Sequence, residues 1–350
     1  MKKIYVLMLC LLMVGLGCSA VSAYVPETES DKDSIDVYFN NPYVDRDQET
    51  TNLRSLILDD IDAAQNEIDV ATYNFSDKKI ADRLVKKAKS GVKVYVVIDE
   101  DNYDDDVVET MLSGGVKVKK AVSGGLMHAK YMIVDGIITF SGSANMTDSS
   151  FFYDNNNMVR IESQEIAETF QAEFYEMFKD SKFGADSPDT PTASVVKLND
   201  GDNTKVQVLF SPDDGVENRI VNLVYKAQKS IYVLAYSFSS DKLAKALEAK
   251  ASDGLDVKVV FEDTKAETDA GGQYDTLKKD SQLGVYVDGY DDKLMHEKVI
   301  VLDDKIVIEG SYNYTNSAER KNDEQVLLIQ NPDIANQYLD EFDKILDKAK

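Results

Sequence analysis

The sequence is poor in several residues that carry much of protein chemistry. Among 350 residues there are two cysteines and two histidines. Both cysteines, Cys10 and Cys18, fall in an N-terminal stretch where Lys2 and Lys3 precede the apolar run Ile4 to Gly17 and the small residues Val21-Ser22-Ala23. That is the pattern of an export leader cleaved after Ala23. A chain cut there has no cysteine, which excludes a disulfide framework, a cysteine nucleophile and cysteine-ligated zinc. The apolar run is too short to span a bilayer, which takes about 20 residues. A secreted or extracytoplasmic protein is expected. Gly15-Leu16-Gly17-Cys18 loosely matches a lipoprotein cleavage box, so the alternative is a lipoprotein anchored to a membrane through Cys18.

Positive charge is scarce as well: 39 Lys and Arg stand against 63 Asp and Glu, a net charge of −24. Non-specific nucleic-acid binding draws on basic surface, because phosphate contacts release counterions, so most of this surface opposes it. Anionic membranes are opposed for the same reason. Asp104-Asp105-Asp106 has no neighbours at metal-ligand spacing and reads as solvated. Neither an obligatory metal nor a cofactor is expected. What remains is globular composition, 43% hydrophobic, long enough for two domains of roughly 150 residues each.

The chain repeats itself. Ile68 to Ala81 matches Ile231 to Ala244, each reading as strand, turn and helix start, with Tyr73 and Phe75 answering Tyr236 and Phe238. Both copies continue through a helix to a glycine, Gly91 or Gly254, and then a β-branched strand. Farther on, Met127-His128-Ala129-Lys130 answers Met295-His296-Glu297-Lys298, and the closing helices from Glu165 and Asp333 keep that offset. A polar insertion carrying Gly271-Gly272 enters the second copy before His296. Pro188, Pro191 and scattered Ser, Thr, Asp and Gly mark a linker. The boundaries read as leader 1–23, spacer 24–34, repeat 1 at 35–180, linker 181–204 and repeat 2 at 205–350. Each repeat is expected to be an α/β layer with a central mixed sheet.

Both histidines occupy the same place in the repeat. His128, Lys130, Asp135, Gly142, Ser143 and Asn145 recur without a gap as His296, Lys298, Asp303, Gly310, Ser311 and Asn313. On an extended run, histidine and lysine two residues apart point to one face. Two such halves facing one another gather two imidazoles and two ammoniums around a single point, an anion site fit for a tetrahedral phosphate.

This duplicated H-x-K-x4-D followed by G-S-x-N resembles the phospholipase D superfamily, over nearly all of the chain from about Val37 onward. The resemblance implies two tandem pseudo-symmetric phospholipase D-like α/β domains, each a central mixed β-sheet flanked by helices. It implies metal-independent phosphodiester cleavage, in which one histidine attacks phosphorus to form a phosphohistidine and the other protonates the leaving alcohol. The two lysines then neutralise the non-bridging oxygens, Asn145 and Asn313 add neutral donors, and Ser143, Ser311 and Asn156 contact substrate. Family members carry a carboxylate or amide beyond G-S-x-N that orients the histidine of the opposite half. Glu324 and Asn156 occupy that place here, which favours His128 as nucleophile and His296 as acid.

Other features have plainer readings. Asp135 and Asp303 sit where a hairpin turns and read as structural. Gly142 and Gly310 are expected to allow a tight bend or a close backbone approach to the phosphate. Phe151-Phe152-Tyr153 reads as packing. Asn145-Met146-Thr147 and Asn313-Tyr314-Thr315 fit a glycosylation pattern, but occupancy there blocks the site. For the substrate, a phospholipid head group ranks first, which brings peripheral membrane contact. A nucleic acid cut by a secreted endonuclease ranks second and a non-catalytic phosphate-ester-binding module third. No apolar pair precedes the first copy, an expectation against a cardiolipin synthase, and no obligatory protein partner is expected.

Overall fold

The computed structural model describes residues 32–350 except 43, 46–51, 104–105, 188–194 and 291–292. The leader, Cys18 and most of the spacer lie outside the described residues. The first repeat runs β1 (Ser34–Phe39), α1 (Asn52–Ala63), β2 (Glu67–Thr72), α2 (Lys78–Lys89), β3 (Lys93–Asp99), α3 (Asp106–Ser113), β4 (Lys117–Ala121), β5 (Lys130–Val134), β6 (Ile138–Gly142), β7 (Asn157–Glu162) and α4 (Gln164–Tyr175). The second runs β8 (Val196–Lys197), β9 (Lys205–Ser211), α5 (Val216–Lys226), β10 (Ser230–Ala235), α6 (Asp241–Ser252), β11 (Asp256–Phe261), α7 (Asp263–Thr268), α8 (Tyr274–Leu277), β12 (Gly284–Val287), β13 (Lys298–Leu302), β14 (Ile306–Gly310), α9 (Asn316–Arg320), β15 (Glu324–Gln330) and α10 (Pro332–Leu346).

The sheet orders are β1-β7-β6-β5-β2-β3-β4 and β12-β11-β10-β13-β14-β15-β9-β8. Read from β9 to β12, the second order repeats the first. In each sheet one block is parallel (β2, β3, β4; β10, β11, β12) and the rest antiparallel. These are the two mixed-sheet α/β repeats that the sequence implies. The extra edge strand β8 comes from the connector: Val196 and Lys197 pair with β9, and Phe183, Val196 and Leu198 are buried. Part of the 181–204 segment is therefore built into the fold.

Local chemistry explains the joints. Asp77 caps α2 by accepting from the Ile80 N–H at 2.9 Å, and Ser240 caps α6 through the Leu243 N–H at 3.1 Å. The hairpins after β5 and β13 turn at Asp135 (φ 52°) and Asp303 (φ 55°). The Asp135 carboxylate accepts the N–H groups of Gln65, Asn66 and Glu67, and that of Asp303 accepts those of Gln228, Lys229 and Ser230. Each motif aspartate thus latches its hairpin to the start of the neighbouring strand, far from the histidines.

Helices α1–α3 cover the outer face of the first sheet and α5, α6 and α9 that of the second, each with its own core. A third core lies between the sheets and belongs to both repeats, with Phe170 and Phe174 of α4 and Tyr338 and Phe342 of α10 at its centre. Phe170 meets Phe210 of β9 with ring centroids 5.4 Å apart, and Tyr338 meets Phe39 of β1 at 5.0 Å. Each closing helix therefore packs across to the other repeat. Burying such a ring contributes about 2–3 kcal/mol, so the shared core binds the repeats tightly.

Candidate active site

The two repeats are stitched together beside their motifs. Just before β5, Met127 bridges Asp323 of the second repeat, with the His128 N–H donating to the Asp323 carbonyl at 2.9 Å. Just before β13, Met295 bridges Asn155 of the first repeat, with the His296 N–H donating to the Asn155 carbonyl at 2.9 Å. The exchange is reciprocal and sets each histidine against the residue that follows the bridge partner. Nδ1 of His128 lies 2.8 Å from Oε2 of Glu324, and Nδ1 of His296 lies 2.9 Å from Oδ1 of Asn156. The two facing oxygens, Glu324 Oε2 and Asn156 Oδ1, accept, so both Nδ1 atoms carry the proton and the chemistry falls to Nε2.

The acceptors are themselves held. Ser311 Oγ donates to Glu324 Oε2 at 2.6 Å and Asn322 Nδ2 to Oε1 at 3.0 Å. Ser143 Oγ donates to Asn156 Oδ1 at 2.9 Å, while Asn156 Nδ2 donates to the Ser150 carbonyl at 3.1 Å. Ser143, Ser311 and Asn156 are fully buried and their hydrogen bonds are committed to the histidine supports. Their observed role is to support the histidines, one that the sequence reading did not assign to the two serines. The reading of the motif glycines also changes. A Cβ on Gly142 meets the Asn157 carbonyl oxygen at 2.3 Å, and one on Gly310, at φ +146°, meets that of Gln325 at 2.1 Å. The close approach is of the neighbouring strand's backbone, not of a phosphate, because β7 and β15 must come near to bring Asn156 and Glu324 to the seam.

Lys130 and Lys298 open β5 and β13, and each ammonium donates to the main-chain carbonyl of its own motif histidine. Asn145 Oδ1 accepts from the Asn74 N–H at 3.3 Å, leaving its amide nitrogen for another acceptor; Asn313 Oδ1 has no partner among the described residues. Phe151 and Phe152 are core, Phe152 lying under Arg54, and only Tyr153 is exposed.

Two neighbours escaped the sequence reading as site residues. The Tyr73 ring lies 5.3 Å from that of His128, and the Tyr236 ring 4.6 Å from that of His296. Their equal place in the repeat was the available signal.

Burial dominates the electrostatics. It pushes Lys130 down to about 7, against the pull of Glu324 and Asp99. Burial and then the Lys130 charge hold Lys298 well below its ordinary value. Burial lowers His128 too, with Glu324 pulling the other way. His296 lies well below its ordinary value through burial and the charges of Lys298, Lys130 and His128. Burial works to raise Glu324, yet the charge and hydrogen bond of His128 and the Lys130 charge hold it below the usual range. The pocket is thus crowded with cations that an anion would relieve.

A family model described as "Cardiolipin synthase, PLD-like domain" matches residues 57–178 and 220–346. The chain belongs to the phospholipase D superfamily. Phospholipase D of Rickettsia prowazekii (strain Madrid E) is 32% identical over 137 residues, 39% of this chain and 65% of that protein, so the match spans just under two thirds of its length. Cardiolipin synthase A of Proteus mirabilis (strain HI4320) is 23% identical over 292 residues, 73% of this chain and 59% of that protein. The solved structure of phosphatidylserine synthase from Haemophilus influenzae Rd KW20 shares the fold, with a TM-score of 0.68 over 90% of this chain and 87% of that one at 17% identity.

Proposed function

We propose that the protein is a phosphodiesterase that acts on phospholipid head groups by double displacement. His128 Nε2 attacks phosphorus while His296 Nε2–H gives its proton to the departing alcohol oxygen as the P–O bond breaks. His296 then takes a proton from water, the resulting hydroxide attacks phosphorus, and the P–N bond to His128 breaks. The observation that carries this is the reciprocal pairing of the two imidazoles, each held at Nδ1 by the other repeat, above two buried lysines. Glu324 favours His128 as nucleophile, since a phosphorylated ring keeping its Nδ1 proton is cationic and needs a carboxylate beside it. Asn156 offers His296 no such charge. The depression of His296 comes after burial from the surrounding cations, which a bound phosphodiester anion cancels, so protonation of His296 accompanies substrate binding.

The names of the relatives support lipid over nucleic acid, as does the net charge of −24. A second reading, transfer of the phosphatidyl group to an alcohol in place of water, is favoured by the relatives named as synthases. The test is a panel of phospholipids and plasmid DNA, with and without glycerol as acceptor and with chelator present. Phosphatidic acid and free head group are expected. A phosphatidylated acceptor as the main product supports transfer, nicked plasmid alone supports an endonuclease, and binding without turnover supports a binding module.

A further inference from the structure

Lys130 and Lys298 are almost wholly inaccessible, 0% and 2% exposed, yet a phosphate site needs them as ammoniums. Among the described residues neither makes an ion pair. The one hydrogen-bond acceptor of each is the carbonyl of its own motif histidine. What else meets them is a ring. Lys298 Nζ lies over the Tyr236 ring, 4.5 Å from its centroid, and Lys130 Nζ over the Tyr73 ring at 5.6 Å.

The register explains the placement. Lys130 pairs with Thr72 at the end of β2, and Lys298 with Ala235 at the end of β10. The next residue along β2 or β10 therefore lies opposite Ala129 or Glu297, between the motif histidine and the motif lysine, and in both repeats that residue is tyrosine. The Tyr236 N–H donates to the Glu297 carbonyl at 3.2 Å, which fixes its backbone to the strand it covers.

We propose that Tyr73 and Tyr236 are positioning residues, whose ring faces keep the buried ammoniums of Lys130 and Lys298 charged and aimed at the phosphate, with Tyr236 the stronger. The π face is negative and attracts a desolvated cation, and unlike a carboxylate it adds no net charge to compete with an anionic substrate. The other groups bearing on Lys298 are Lys130 of β5, Glu324 of β15, Glu297 just ahead of β13 and Asp154 ahead of β7. Those bearing on Lys130 are Glu324 and Asp99 of β3. The carboxylates belong to other elements, so a change of ring leaves them in place; the Tyr236 ring also meets His296 and, at 5.4 Å, the Lys265 ammonium, so Tyr236→Leu frees those contacts as well.

The activity arm rests on the phosphodiesterase reading above; the titration arm does not. With lysine labelled by 13C at Cε, and the Lys298 signal assigned by its loss in Lys298→Arg, the midpoint of Lys298 is followed by NMR in the full chain. Tyr236→Phe keeps the wild-type midpoint, because the hydroxyl is not what the ammonium meets. Tyr236→Leu, similar in bulk but without a π face, lowers it by about one pH unit. Tyr73→Leu lowers that of Lys130 by less, since its ring is farther away. The alkaline limb of kcat/KM moves by the same amounts. An unchanged Lys298 midpoint in Tyr236→Leu overturns the proposal, and lost activity with unshifted titration assigns the rings to packing alone. Should Tyr236→Leu not fold, Tyr73→Leu and Lys130 decide it by the same criterion. If the wild type cleaves no phosphodiester, the functional reading fails while the titration still settles the tyrosines.

Discussion

Glu324 reaches across the seam between the repeats to accept the Nδ1 proton of His128 at 2.8 Å, and its counterpart on His296 is the amide of Asn156 at 2.9 Å. This one difference breaks an otherwise two-fold arrangement. A carboxylate stabilises positive charge on its imidazole and an amide does not, so two rings of one origin become unequal.

The inequality predicts different fates for two variants. His128→Asn removes the nucleophile and should abolish turnover. His296→Asn keeps the nucleophile but loses the acid and the later base, so kcat should fall by about 10²- to 10⁴-fold. The covalent intermediate should then accumulate on His128, and mass spectrometry would detect it as a phosphatidyl group joined through an acid-sensitive P–N bond. A phosphatidyl group found on residue 296 of a His128→Asn protein would reverse the assignment.

Glu324→Gln isolates the charge. The amide still accepts from Nδ1, so the ring stays in place, while the carboxylate that pulls the His128 pKa upward is gone. Turnover should drop by about 10²-fold or more, and the acid limb of kcat/KM should move to lower pH, because His128 then stays neutral further into acid. Asn156→Asp should act oppositely on His296. Wild-type rates in Glu324→Gln would remove the carboxylate from the mechanism.

The pH profile has a second signature. Lys130 is held at about 7 instead of its ordinary 10.5, so its ammonium is present below that value and lost as pH rises through it. In the free enzyme the loss of this ammonium should therefore steepen the decline of kcat/KM above about pH 7, beyond the part set by His296 and Lys298. A bound phosphodiester anion restores the ammonium, so the decline in kcat should come at higher pH. Steady-state kinetics over the range would show the two limbs apart; coincident limbs would mean that Lys130 does not face the substrate.

How far the sequence reaches depends on whether a feature is local or made by strand neighbours. The repeat, the mixed sheets and the shared place of His128 and His296 are legible because spacing survives without a gap. That Glu324 and Asn156 correspond is legible for the same reason. The roles of Ser143 and Ser311 are not, since a hydroxyl beside a glycine reads as a substrate contact until the folded chain aims it at Asn156 or Glu324. Gly142 reads as a bend or a close approach to the phosphate until β7 lies against it. Tyr73 and Tyr236 become neighbours of the lysines only because β2 and β5, and β10 and β13, pair antiparallel. β8 is two residues long and leaves no periodic trace.

The glycine reading carries its own test. Gly142→Ala places a methyl 2.3 Å from the Asn157 carbonyl oxygen and 2.7 Å from Met158 Cα, closer than nonbonded atoms allow, and the obstacle is backbone that cannot swing aside. β7 must move, at about 2–4 kcal/mol in stability, and Asn156 moves with it. Denaturant melts should show the loss, and activity should fall beyond what the unfolded fraction explains. A glycine facing only a phosphate would instead leave the melt unchanged and raise KM.

Glu309, on β14 two residues before Ser311, makes the last case. Its side chain is buried, with Oε2 accepting from Asn157 Nδ2 at 2.7 Å and Oε1 unpartnered among the described residues. Burial lifts it from 4.5 to about 8, with only the Asn157 hydrogen bond acting to lower it. A carboxyl raised in the folded state favours folding fully below its unfolded value, and that contribution is lost as pH rises through the folded value. Glu309 should therefore weaken the protein progressively from about pH 4.5 to about pH 8. Glu309→Gln keeps an acceptor for Asn157 and removes the titration. It should be more stable than wild type at pH 9, by on the order of 2–4 kcal/mol, with the advantage gone near pH 5. Denaturation curves at the two pH values decide it: an equal difference at both would mean that Glu309 does not change its proton between them.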